Sequence, residues 1–111
     1  MIDIDGLHAY RAKLDRDKAS TLVAWPIPPE TREACWRVLA ETVDGLIALG
    51  PDAPDAASAD VLRRGVVAYD DLNDGFLTKP EREDLCRVLY EIGALAGMDA
   101  GDEWVEAWRG W

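Results

Sequence analysis

The chain has 111 residues, enough to bury one hydrophobic core and too few for two independent ones, so we expect a single domain over residues 1–111. Hydrophobic residues make up 49% and charged residues 31% of the sequence, which is typical of a folded globular protein and excludes disorder over most of its length. Twenty-two acidic and twelve basic side chains give a formal net charge of -10. This charge repels nucleic acid and anionic membranes, so neither is an expected partner.

The N-terminal residues 1–5 lack the basic start and the apolar run of a secretion signal, and no apolar segment approaches the length that spans a membrane. The two cysteines, Cys35 and Cys86, are far apart and form no C-x-x-C pair. Each lies on a helical pattern among apolar residues, which predicts two buried free thiols. A reducing, cytoplasmic location is therefore the expectation.

The first helical pattern covers residues 5–22, where apolar residues recur at helical spacing among charged ones. Three prolines within residues 25–29 then interrupt it, because they remove backbone donors and favour an extended connection. We expect Trp25 and Ile27 to pin this connection to the core.

The second pattern, over residues 30–49, repeats apolar residues every three and four positions, as an amphipathic helix does. Gly50 and Pro51 end it, and the polar loop 52–57 carries no predicted chemistry. Ser58 is the predicted N-cap of a third helix, whose apolar residues again fall on one side.

A fourth helix is predicted to begin after Thr78, which forms a capping box with Glu81 three residues later. Gly97 is its predicted C-cap. A last short segment covers residues 102–109. No stretch shows the two-residue alternation of a strand. The predicted fold is therefore all-α, a four-helix bundle with a short C-terminal fifth helix packed across it, as a monomer or a homodimer.

Residues 70–81, between the third and fourth patterns, match a calcium-binding loop in part. Such a loop needs oxygen ligands at its first, third, fifth, ninth and twelfth positions and glycine at the sixth. The matching residues are Asp70, Asp74, Gly75, Thr78 and Glu81. The third position is Leu72, which offers no side-chain oxygen, so the affinity for calcium should fall sharply or vanish.

The same segment also fits a helix start without metal. Asp74 and Gly75 make a turn, while Thr78 and Glu81 cap the next helix. These residue types serve both structures, so both interpretations stay open. A calcium-responsive helix-loop-helix protein is the alternative function.

Catalytic and cofactor signatures are absent from the sequence. His8 is the only histidine, and no serine or cysteine has a recognisable base near it in sequence. The sequence also has no phosphate-binding glycine loop and no zinc-ligand spacing. We therefore predict a protein that is not an enzyme and has no cofactor or metal centre.

The five tryptophans give this small protein much large aromatic surface. Trp36 lies on an apolar stripe and is a predicted core residue. Residues 104–111 contain three more tryptophans, which either dock on the bundle or anchor a partner, since tryptophan is frequent at binding hot spots. Docking is the favoured interpretation, because a small domain needs the buried area.

From Leu72 onward the chain resembles small acidic bacterial proteins of the immunity type, which protect a cell against a toxin made by itself or its kin. The resemblance covers little more than the last third of the chain. The segments that carry it are Phe76-Leu77, residues 81–86, Ala96-Gly97-Met98 and residues 108–111.

This resemblance implies a cytoplasmic, non-enzymatic inhibitor that binds a cognate toxin and covers an essential surface of it. The negative charge suits a basic toxin, such as a nuclease, because an acidic face speeds association. The residues predicted to contact the toxin are the acids Asp70, Asp71, Asp74, Glu83 and Asp84, with Trp108 or Trp111 as an aromatic anchor.

Overall fold

A computed structural model of the protein describes residues 2–17, 28–73, 77 and 79–111. These residues form five α-helices and one short 3-10 helix, with no strand among them. The helices are α1 (Ile4–Arg16), α2 (Pro29–Leu49), α3 (Asp55–Leu72), α4 (Lys79–Leu95) and α5 (Trp104–Trp108), and the 3-10 helix is Ala100–Asp102. The predicted all-α fold, with a short helix after four longer ones, is confirmed.

The first helix starts at a side-chain cap. Asp3 precedes α1 and its Oδ1 accepts a hydrogen bond from the Gly6 amide at 2.9 Å, which satisfies one of the unpaired donors of the first turn. The helix ends at Arg16 with Asp17 as its C-cap, so the predicted continuation of the same helix to residue 22 is wrong. The predicted pinning of Trp25 and Ile27 lies outside the described residues.

The third helix begins one turn earlier than predicted. Its N-cap is Pro54, in extended conformation, and Asp55 is the first helical residue. The acidic Asp55 in the first turn is favourable because the helix dipole is positive there. The predicted N-cap Ser58 is wrong: it lies inside α3, is 1% exposed, and its Oγ has no hydrogen-bond partner in the described structure.

The fourth helix ends as predicted. Gly97 has a φ of 86°, the left-handed conformation that glycine adopts at low energetic cost. The Met98 amide donates to the Gly93 carbonyl at 2.9 Å and the Gly97 amide to the Ala94 carbonyl at 3.1 Å, which is the Schellman pattern. The predicted cap at Thr78 lies outside the described residues.

The helices pack around one core. The main contacts are α1 with α2, α2 with α3, and α1 with α4, while α5 contacts both α3 and α4. The segment after α4 therefore closes the remaining side of the bundle. The largest fully buried side chains come from all four long helices and from α5: Leu7, Leu39, Leu46, Leu62, Tyr69, Leu85, Leu89, Ile92 and Val105.

Two buried polar side chains of the core, Trp36 and Tyr69, have backbone hydrogen-bond partners. The Trp36 indole donates to the Leu14 carbonyl at 3.0 Å, which joins α2 to α1, and the Tyr69 hydroxyl donates to the Cys35 carbonyl at 2.9 Å, which joins α3 to α2. Each bond pairs a donor that would otherwise be buried without a partner. Trp36 is thus the core residue that its sequence position predicts.

Few large hydrophobic side chains are exposed on the described surface. Among the described residues, Val67 is the only large hydrophobic side chain that is exposed, at 41%. A single exposed residue is ordinary on a soluble protein.

The contact between Gly93 and Trp104 provides a test of this packing. A Cβ atom on Gly93 would lie 2.2 Å from Cζ2 of Trp104. Alanine is normally favoured over glycine in a helix by about 1 kcal/mol. We expect Gly93→Ala instead to destabilise the protein by about 1–3 kcal/mol through overpacking, measured by urea unfolding.

The control is Ala94→Gly at the next, exposed position, which should lose only about 1 kcal/mol from helix propensity. A neutral or stabilising Gly93→Ala would mean that Trp104 does not sit against α4.

Candidate functional site

The residues predicted to contact a partner lie at one end of the bundle. Asp70 and Asp71 lie in the last turn of α3, and Glu83 and Asp84 lie near the start of α4. All four are exposed, whereas Asp74 lies outside the described residues. We call this the mixed end, made of Asp70, Asp71 and residues 79–86 with the chain at 109–111, because Lys79, Arg82 and Arg109 lie among the acids there.

The chain after α5 crosses the mixed end and is fixed by hydrogen bonds from three consecutive residues. Arg109 Nη1 donates to Cys86 Sγ on α4 at 3.4 Å. The Gly110 amide donates to Asp70 Oδ1 at 3.1 Å, and the Trp111 indole donates to the Val66 carbonyl at 2.9 Å. These bonds attach the C-terminal residues to both α3 and α4.

Trp111 is a core residue in the described structure, and its predicted contact with a partner stays a prediction. It is 8% exposed, and its ring contacts Tyr69 edge to face, with 6.1 Å between the ring centroids. The Arg109 guanidinium lies over the Trp111 ring, with its central carbon 5.3 Å from the ring centroid. A side chain held in this way is already buried and offers little area to a partner.

Trp108 differs from its neighbours. Trp104 is 3% exposed and packs against Tyr90, whereas Trp108 is half-buried and lies 5.4 Å from the Trp104 ring. The predicted docking of the tryptophan-rich segment is thus confirmed for Trp104 and Trp111. Trp108 keeps part of its ring at the surface, so its proposed contact with a partner stays a prediction.

The described residues of the 70–81 loop do not form a set of calcium ligands. Asp70 already accepts a hydrogen bond from Gly110, and Glu81 is 6% exposed. Leu77, between them in sequence, is buried. The other residues of the loop that matter, Asp74 and Thr78, lie outside the described residues. Among the residues that are described, no three His, Cys, Asp or Glu side chains are grouped to hold a metal ion.

The opposite end of the bundle has a different electrostatic character. The Ile2 amide donates to the Pro51 carbonyl at 3.1 Å, and the Asp3 amide donates to the Leu95 carbonyl at 2.7 Å. These bonds bring together the start of α1, the turn between α2 and α3, and the end of α4. We call this the acidic end, made of residues 2–6, 50–55 and 96–103.

The acidic end contains no lysine or arginine. Its acidic side chains are all exposed; they are Asp3, Asp5, Asp52, Asp55, Asp99, Asp102 and Glu103. Two of them are fixed by local bonds, because Asp3 accepts from the Gly6 amide and Asp99 accepts from the Gly101 amide at 2.8 Å. The result is a one-sign surface on short turns and helix termini.

This asymmetry extends over the whole chain. The two longest stretches without lysine or arginine, residues 38–62 and 88–108, and the N-terminal residues 1–10 together hold twelve acidic residues. The remaining ten acids share the rest of the chain with all twelve basic residues. Sequence reasoning missed this site, although the three stretches were a visible signal.

Ionisable groups elsewhere serve structure. Arg11 bridges Asp15 at 2.7 Å and Asp44 at 2.9 Å, which ties α1 to α2. The pKa of Tyr10 is raised mainly by burial, and secondly by the hydrogen bond that its hydroxyl donates to Glu91 at 3.0 Å. None of these described groups is arranged as a nucleophile with a base.

The thiols are shielded to different degrees. Cys35 is 0% exposed, and burial raises its pKa to about 11. Cys86 is half-buried rather than buried as predicted; burial raises its pKa, and the nearby Arg109 guanidinium opposes part of that rise. Both are free thiols.

Comparisons with known proteins add no relative: no family model, no curated protein and no solved structure matches this chain. None of the described helices is long and apolar enough to cross a membrane.

Removing the buried indole of the last residue tests the docked C-terminal segment. We expect Trp111→Ala to lower the free energy of unfolding by about 3–5 kcal/mol, because it deletes a large buried aromatic side chain. Trp108→Ala is the matched control and should lose clearly less, since part of that ring is already in water. Equal losses in urea unfolding would contradict the docking of Trp111.

The pKa shifts predict slow alkylation of both thiols at neutral pH. Only the thiolate reacts with iodoacetamide. Because the pKa of Cys86 is raised, its labelling rate should keep rising with pH above about 9, where an ordinary cysteine is already largely ionised. Cys35 should react only after unfolding. Mass spectrometry of the labelled peptides distinguishes the two sites, and native labelling of Cys35 at the rate of Cys86 would refute this assignment.

Proposed function

We propose that this protein is a non-enzymatic binding module of the immunity type, which neutralises a basic bacterial toxin by docking its acidic end on the toxin. The observation that carries the proposal is the separation of charge along the bundle. Seven exposed acids and no lysine or arginine occupy one end of the described structure. A surface of this kind is complementary to a cationic protein surface.

Charge of one sign also acts at a distance. A face of uniform negative potential attracts a basic partner before contact and raises the rate of productive encounters, often by one or more orders of magnitude at low salt. An inhibitor of a toxin gains from this rate, because the toxin must be captured before it acts. Fast association is the physical advantage that the acidic end confers.

Backbone bonds join the segments that carry these acids, and two of the seven carboxylates are oriented by backbone donors. The Ile2 and Asp3 amides join three chain segments, and the Asp3 and Asp99 carboxylates are oriented by backbone donors. Little conformational entropy is then lost when these segments meet a partner. The acidic end is therefore a prearranged surface as well as a charged one.

The arrangement also carries an energetic penalty in the free protein. Like charges on neighbouring turns repel each other, and no lysine or arginine of the acidic end relieves them. A cationic partner would relieve this repulsion on binding. The penalty is consistent with a surface used for recognition rather than for stability.

The mixed end is the competing face. Glu83 lines a cleft with Lys79 and Arg82, and Asp71 lines a second one with Arg63 and Arg64, so the local field is weaker and of both signs. Half-buried Trp108 on α5 remains available there as an aromatic contact. If the mixed end were the docking face, the effects of substitution would follow these residues instead.

The test is growth of cells that express the neighbouring reading frame, with and without this protein. We expect that frame to be toxic and the wild-type protein to restore growth. The triple variant Asp5→Asn, Asp52→Asn and Asp102→Asn should weaken rescue, because it removes three charges from the acidic end. Association with the purified toxin should slow about tenfold or more at low salt.

The matched control removes three charges from the mixed end: Asp71→Asn, Glu83→Gln and Asp84→Asn. It should rescue growth nearly as well as the wild type. Loss of rescue only in this control would move the docking face to the mixed end, and no rescue by the wild type would overturn the proposed function.

A further inference from the structure

A cleft at the mixed end concentrates positive charge in this acidic protein. It lies between the first half of α4 and the chain around Arg109, and its volume is about 470 Å³. The side chains that line it are Lys79, Arg82, Glu83, Cys86, Glu106 and Arg109. Three of these six residues are basic, whereas acids outnumber bases almost two to one in the whole chain.

The basic side chains of the cleft have no carboxylate partner in the described part of the chain. Neither Lys79 nor Arg82 forms an ion pair, and Arg109 contacts the Cys86 sulfur and the Trp111 ring instead. Elsewhere Arg37, Arg64 and Arg87 each pair with an acid one helical turn away. Within the described residues, the cleft therefore holds basic side chains that no ion pair neutralises.

The two acids of the cleft only partly offset this charge. Glu106 is hydrogen-bonded to the Tyr90 hydroxyl, which fixes its carboxylate on the α4 side. Glu83 also lines the cleft, from α4 itself. Three bases against two acids leave a net positive site, next to the N-terminal turns of a 17-residue helix whose dipole adds to the positive potential.

We propose that this cleft binds a compact oxyanion of the phosphate class, either inorganic phosphate or the phosphate group of a phosphomonoester. Guanidinium groups present paired donors that match the oxygens of such an anion. A small dianion concentrates its charge among Lys79, Arg82 and Arg109. An extended acidic chain is less suitable, because the remaining surface of the protein repels it.

This site is separate from the acidic end and does not depend on the proposed function. Arg109 is already positioned by its contacts with Cys86 and Trp111, so the anion would meet a partly ordered guanidinium. Lys79 and Arg82 supply the other donors from the first turns of α4.

Titration of the full chain with inorganic phosphate, at constant ionic strength set with sodium chloride, tests the proposal. We expect saturable shifts of backbone amide NMR signals, confined to residues 79–86 and 106–110. Arg82→Gln should weaken binding about tenfold, the effect of losing one charge-assisted hydrogen bond. Lys79→Gln provides a second variant that leaves the docked C-terminal segment intact.

Arg87→Gln is the matched control, since Arg87 lies on the same helix but outside the cleft and pairs with Glu91. It should bind phosphate as the wild type does. Equal weakening in Arg87→Gln, or no saturation at millimolar phosphate, would overturn the site. A parallel titration with phenyl phosphate separates the sources: tighter binding assigns a phosphomonoester, and equal or weaker binding assigns the free anion.

Discussion

Docking of the C-terminal segment on α3 and α4 is the interaction on which the rest of the fold depends. The long helices contact in the order α3, α2, α1, α4, and α5 packs against the two outermost helices of that series. Trp104 occupies the space that Gly93 leaves open on α4, while Trp111 reaches α3 through Tyr69 and the Val66 carbonyl. Two buried indoles thus complete a core that four helices alone would leave open to water on one side.

The same closure decides which parts of the chain remain available to a partner. Trp111 and the Gly110 amide bond to α3, whereas Arg109 contacts Cys86 on α4 and still lines the cleft. The chemistry left at the mixed end is a cleft with basic side chains and one half-buried indole. At the other end, the backbone bonds of Ile2 and Asp3 gather three acidic segments. The bundle therefore presents two ends of different character, one uniformly acidic and one with a positive cleft.

The sequence was sufficient for the helices, because their apolar residues repeat at helical spacing and Gly97 ends α4 in a conformation that glycine favours. It misplaced the start of α3, since the serine at position 58 is a good cap by type, whereas Pro54 makes the real boundary. The preference for capping serines is a local tendency, and packing placed Ser58 in the core instead. Helix patterns thus predicted the elements better than their ends.

The candidate sites were harder to predict for a physical reason. Asp70 and Glu83 look like free surface acids in sequence, but the chain around Gly110 crosses beside them and uses Asp70 as an acceptor. The acidic end consists of three segments that are far apart in sequence and meet only through tertiary contacts. Its composition signal, the absence of lysine and arginine from three long stretches, becomes meaningful only when the fold shows that they converge.

The most direct test of the account is NMR mapping of the complex between this protein and the product of the neighbouring reading frame. The account predicts that the largest changes in backbone amide signals fall at residues 2–6, 50–55 and 96–103, and that they diminish as salt is added. Changes centred on residues 70–84 and 108–111, with the acidic end unaffected, would contradict it.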